Sequence, residues 1–297
     1  MANPILNNAV GSGQSIYEAR GIAHIDQNQS VVGAHKVGVR GQLPDGRVFY
    51  YATNGATALI AGGALMLKAT TGLNINANDN AIVLTASSAN FSAGAQENIK
   101  LLGTDIETAD IIEGAYAEGY LYMEKVAPLG QMYQIRWHQS INNDDALPGE
   151  ISLYDPLATA ASGTTQISFA KNRYSRTIRT STGVGAEAVI GVSPIAVTAS
   201  GAVPTDAAAT EAVVDTYCFW TQTWGPCCVE AGSTGVAPGV ALTSDATADQ
   251  LDLMATLGHT SNSTALDGLQ SPKVAMGLVS APAAQADCVL VDLRIAP

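Results

Sequence analysis

The sequence predicts an all-β protein, built as two β-sandwich or β-barrel-like modules behind an extended N-terminal arm, with at most one or two short helices. Short segments rich in Val, Ile, Tyr and Thr recur along the chain. Gly, Asn, Asp and Pro separate them, as turns separate strands. No stretch keeps the 3.6-residue apolar stripe of an amphipathic helix. At 297 residues the chain is long enough for two cores.

Residues 1–30 are polar and rich in Gly, Asn and Gln, which predicts an extended arm, either of the kind that neighbouring subunits order or a plain frayed terminus. The first module is expected over 31–160. It opens with a hairpin, in which Val37–Arg40 and Arg47–Tyr51 flank the turn Pro44-Asp45-Gly46. Further strands are expected at 81–85 (AIVLT), 120–124 (YLYME), 131–137 (QMYQIRW) and 150–154 (EISLY). In QMYQIRW, alternation puts Met132, Gln134 and Arg136 on one face and Tyr133, Ile135 and Trp137 on the other. The span 93–117 has tolerable helical composition, but Gly94, Gly103 and Gly114 limit it to short helices.

Composition shifts to Ala, Ser, Thr and Gly between Leu157 and Gly185, so a linker is expected over 161–185, with a weak strand at 166–169. The second module is then expected over 186–297, with strands at 188–192, 194–198, 216–222, 227–230, 240–243, 274–279 and 288–295. The stretch ASGAVPTDAAATEA at 199–212 reads as a surface loop. An echo links the halves: Phe49-Tyr50-Tyr51-Ala52 ahead of Gly55 resembles Phe219-Trp220-Thr221-Gln222 ahead of Gly225. Each copy leads on to an Ala-Gly step and a further apolar strand. Glycine would let each copy turn sharply into the next strand.

Charge narrows the function classes. Charged residues are 13% of the chain, about half the usual share, and hydrophobic ones 47%. A surface this poor in charge is expected to be covered by other subunits. The net charge is -12, from 14 Lys plus Arg against 26 Asp plus Glu, and no basic run occurs. Nucleic acid is therefore not expected as a direct partner. No apolar segment reaches the roughly 18 to 20 residues of a membrane span. The N-terminus MANPILNNAVGSGQS lacks the leading charge and apolar segment of a secretory signal, which predicts synthesis ending in the cytoplasm.

Catalytic, cofactor and metal sites are not predicted. His24, His35, His138 and His259 lie in no triad motif and read as exposed or hydrogen-bonded structural histidines. Cys218, Cys227, Cys228 and Cys288 have no metal spacing and read as small buried hydrophobes, with Cys227 and Cys228 on opposite strand faces. Gly62-Gly63 and Gly183-Val184-Gly185 match no phosphate loop. The runs NINANDN (74–80) and NNDD (142–145) could hold Ca²⁺ but read as turns. Tyr217, Phe219, Trp220 and Trp224 form the densest aromatic cluster. With Trp137 they are candidate core or interface anchors, and the alternative is a sugar-stacking platform.

The runs DGRVFYYATNGATALIAGGALM, GYLYMEK, GQMYQIRWHQS, EISLYDPL, TYCFWTQTWGPCCVEAG, KVAMGLVS and CVLVDLRI resemble tailed-phage virion proteins, specifically the decoration, or cement, proteins that stud phage heads. That resemblance spans most of residues 40–297 and implies a second module of β-tulip or small-barrel type. It also implies a homotrimer on the major capsid protein at the virion surface, assembled in the host cytoplasm, that stabilises the head and carries no enzymatic activity. Two other roles remain open: a tail or fibre-tip protein that binds a host glycan through Trp137, Trp220, Trp224 and loop acids, and a tail-tube protein.

Overall fold

The computed structural model describes residues 29–31, 33–66, 82–83, 91–106, 110–143, 147–161, 163–179, 189–201, 216–230, 238–239, 241–244, 251–253, 275–278 and 288–295. Across these residues the chain is all-β, with sixteen strands and a single 3-10 turn at Gly103–Asp105. No helix among them is long and apolar enough to cross a membrane. Residues 1–28 of the expected 1–30 arm, the NINANDN run, most of the 199–212 loop, His24, His259 and Gly183–Gly185 lie outside the described residues.

Two compact units form. One holds the described residues within 29–66, 174–201 and 216–295, and the other those within 82–173. This corrects the expected order of a module over 31–160, a linker over 161–185 and a module over 186–297. The opening hairpin belongs to a sheet made mostly by the second half of the chain, and in sequence the residues of the other unit fall between the parts of that sheet. The supposed linker itself contributes strands to both sheets. Strand pairing is a long-range choice that local composition does not encode.

In the first unit, β1 (Arg40–Gln42) and β2 (Val48–Thr53) form the predicted hairpin. Its turn closes where Asp45 Oδ1 accepts the Arg47 backbone N–H at 3.1 Å and Gly46 adopts φ 89°. β2 pairs antiparallel with the first half of β12 (Cys218–Glu230), and β16 (Cys288–Arg294) pairs with the second half. The described part of the sheet is completed by β3 (Ala64–Met66), β10 (Ile178–Arg179), β11 (Val189–Val192), β13 (Ala241–Ser244), β14 (Leu251–Leu253) and β15 (Ala275–Gly277).

β12 runs unbroken through the Gly225-Pro226 step, where two separate strands were expected. A bulge between Gln222 and Trp224 takes up an extra residue. The Gln222 side chain donates from Nε2 to the carbonyls of Trp224 at 3.1 Å and Pro226 at 2.7 Å, satisfying backbone that the irregularity frees. Gly225 sits in the left-handed region at φ 84° inside this continuing strand. Glycine therefore does not turn the chain here as the echo suggested. The echoed segments are instead sheet neighbours, with Phe49 opposite Gln222 and Ala52 opposite Phe219.

Both faces of this strand pair are buried. Phe49, Tyr51, Cys218 and Trp220 form one cluster, while Ala52, Leu65, Ile190 and Phe219 pack in another with Tyr50 and Tyr217 at its margin. Near-continuous apolar sequence is what a strand covered on both faces requires. Where β12 passes Gly225 the burial alternates, with Cys227 and Val229 inside and Pro226 and Cys228 outside.

The second unit is a six-stranded antiparallel sheet among the described residues: β4 (Ile82–Val83), β9 (Gln166–Ala170), β6 (Tyr120–Lys125), β7 (Met132–His138), β8 (Pro148–Leu153) and β5 (Ile99–Leu102). Leu121 and Met123 of β6 alternate into one core with Tyr133 and Ile135 of β7, Ile151 and Leu153 of β8, and Ile167 and Phe169 of β9. The span 93–117 holds β5, the 3-10 turn and further turns, within the one or two short helices expected.

Candidate functional site

The outward face of the second unit carries the most chemistry-bearing arrangement. β7 alternates from Met132 to Ile135, and a bulge then adds one residue between the Ile135–Leu153 and Trp137–Ser152 pairings. Arg136 and Trp137 consequently both face outward, and His138 turns in. Trp137 is 40% exposed, so its expected place on the face of Tyr133 and Ile135 is overturned by the extra residue. Arg136 lies outward as its alternation predicts.

Trp137 borders a shallow depression of about 180 Å³ lined also by Glu97, Asn98, Arg136, Glu150 and Ser152. Arg136 is held by its partners: Nη2 donates to Glu97 Oε1 and to Ser152 Oγ at 2.7 Å, and Nε to Ser152 Oγ at 3.1 Å. Lys100 Nζ lies 3.9 Å from Glu150 Oε1. The Glu150 backbone N–H donates to Gln139 Oε1 at 3.1 Å. Asn98 adopts φ 57°, a conformation that asparagine tolerates better than most residues. Apart from Trp137, sequence reading missed these residues. Glu97, Asn98, Glu150 and Ser152 gain their role from pairing across three strands and a loop, which no linear spacing signals.

Elsewhere in this unit Met132, Leu129 and Leu147 are 62%, 68% and 70% exposed. Met132 stands opposite Tyr122 on neighbouring strands, and Tyr120 is exposed on the same strand as Tyr122. The unit thus shows large apolar side chains to solvent at several points.

The aromatic cluster of the first unit is structural. Phe219 and Trp220 are fully buried, Tyr217 and Trp224 half-buried. The three rings of His35, Tyr51 and Trp220 lie with centroids 5.1–5.2 Å apart in edge-to-face and tilted contacts. The Ala34 backbone N–H donates to the Tyr51 hydroxyl at 3.0 Å, and burial pushes that phenol up to about 12. Ser30 exchanges backbone hydrogen bonds with Cys218 at 3.1 and 2.7 Å, so the last residues of the expected arm are docked on this cluster. Of the tryptophans of the alternative sugar platform, Trp220 is buried in the core and offers no face to a ligand, and Trp137 is a residue of the second unit.

His35 and His138 both have pKa values lowered by burial, and each packs into a core or its margin, as structural histidines do. Cys218 and Cys227 are buried as expected. Cys228 and Cys288 are exposed, a correction that follows from strand parity in β12 and β16. None of the four is in a disulfide. Among the described residues no three His, Cys, Asp or Glu side chains group as metal ligands. Asn142 and Asn143 of the NNDD run lie in a turn where Asp110 Oδ1 accepts the Asn143 N–H at 2.9 Å. No protein family, curated protein or solved structure matches this chain.

Proposed function

We propose that this chain is a structural virion protein, a capsid decoration protein that binds the outer surface of a phage head and stabilises it as an oligomer. The observation that carries this reading is the apolar surface of the second unit. Leu129, Met132 and Leu147 stand more than half exposed on a chain of which 13% is charged. Apolar side chains held out on a rigid sheet and its turns suit burial against other subunits. The second unit's own antiparallel sheet, whose other face packs the core of Leu121, Met123, Ile135 and Ile151, supplies that rigidity.

In this reading the partners are the major capsid protein and two further copies of the chain, the trimer following from the resemblance to decoration proteins. The net charge of -12 argues against contact with packaged DNA. The role is one of added contact area at subunit junctions, without catalysis. Immunogold labelling and quantitative mass spectrometry of purified phage particles test it. The expected result is many copies per particle on the head surface, and absence from purified particles contradicts it.

A further inference from the structure

We propose that the depression beside Trp137 binds a single neutral pyranose ring, such as the exposed terminal unit of a cell-surface glycan. The indole is held outward by a bulge where uninterrupted alternation would bury it. A large aromatic surface left in water forgoes hydrophobic stabilisation that burial would supply. That sacrifice has a use if the indole meets a ligand.

The lining identifies the ligand class. Trp137 contributes a flat apolar face, and beside Ile151 the rest of the lining is hydrogen-bonding: two carboxylates, a guanidinium, an amide and a hydroxyl. A pyranose has the matching duality, with C–H bonds on its face and hydroxyls round its edge. Its face stacks on the indole while its hydroxyls bridge Glu97, Asn98 and Glu150. An aliphatic or lipid ligand would take these charged and polar side chains out of water and offer them no hydrogen bond in return.

Charge favours a neutral ring. Glu97 and Glu150 are balanced locally by Arg136 and Lys100, so an acidic sugar gains no net attraction, and the chain as a whole carries -12. The ion pairs at the rim have side chains 37% to 57% exposed. Pairs so exposed contribute little by themselves and exchange partners readily. Arg136, held by Ser152 and Glu97, presents its guanidinium edge already ordered, which lowers the entropy lost on binding.

The site stands apart from the virion reading, because binding is measured on the purified chain. The full chain is titrated with methyl α-D-mannopyranoside, maltose and cellobiose, and separately with N-acetylneuraminic acid, by saturation-transfer NMR and tryptophan fluorescence. A small ligand of this size is expected to bind with Kd of about 1 mM. At least one neutral probe should bind so, weakened about tenfold or more in Trp137→Ala and largely restored in Trp137→Tyr. Unchanged thermal melting of both variants shows that they fold. The proposal is overturned if no neutral probe binds, if only the acidic sugar binds, or if Trp137→Ala binds as tightly as the original chain.

Discussion

His138 Nε2 accepts the backbone N–H of Tyr116 at 3.0 Å, and His138 Nδ1 faces the Gln139 carbonyl at 2.8 Å. A carbonyl can only accept, so Nδ1 carries the proton and the imidazole is neutral. Its ring is 1% exposed in the second unit's core, and burial lowers its pKa below the ordinary 6.5. Protonation would place an N–H against the Tyr116 N–H. The stabilisation from the neutral ring is therefore complete above 6.5 and is lost as pH falls below it. Urea unfolding of the original chain and His138→Gln should show a stability gap that narrows from pH 7.5 to pH 5; a constant gap would disprove the neutral assignment.

Gly119 precedes β6 at a point where a Cβ would lie 2.3 Å from the Ala170 carbonyl oxygen and 2.9 Å from that of Tyr116. Both obstacles are backbone, so neither can swing aside. Gly119→Ala should destabilise the second unit by about 3 kcal/mol, read as a lowered urea midpoint. Little or no change would mean that β6 and β9 approach less closely than described.

Two tryptophans should respond in opposite ways. Trp220→Ala removes a fully buried indole that touches Tyr51 and His35, and should cost about 3 to 5 kcal/mol. Trp137→Ala alters an exposed ring and should stay within about 0.5 kcal/mol. Equal losses in thermal or urea melts would contradict the exposed position of Trp137, which leaves the interface alternative and not the core one.

Thiol accessibility checks the parity of the two long strands. Cys228 and Cys288 should react with a thiol reagent in the native chain, and Cys218 and Cys227 only after unfolding. Burial also pushes the Cys218 thiol up, which lowers its thiolate fraction further. Four fast thiols, or none, would contradict the strand register between β12 and β16.

What was legible in the sequence was local. The hairpin around Pro44-Asp45-Gly46 is readable because its turn is written in adjacent residues, and the Arg47–Asp45 pair at 2.8 Å closes it. Alternation likewise puts Tyr133 and Ile135 on one face of β7, which is the core face. Trp137 was misread because one extra residue inverts parity, and the preceding sequence does not announce the bulge. The two-unit division was misread because the hairpin's partner is β12, far along the chain. The depression beside Trp137 shares that difficulty, since Glu97, Arg136 and Glu150 meet only through strand pairing.

The assembly state tests the central reading most directly. The purified chain would be sized by chromatography with light scattering, then incubated with emptied phage heads and imaged by electron microscopy. The decoration reading predicts a trimer that relocates to the head surface. A ring or filament in solution, or a monomer that leaves the heads bare, would contradict it.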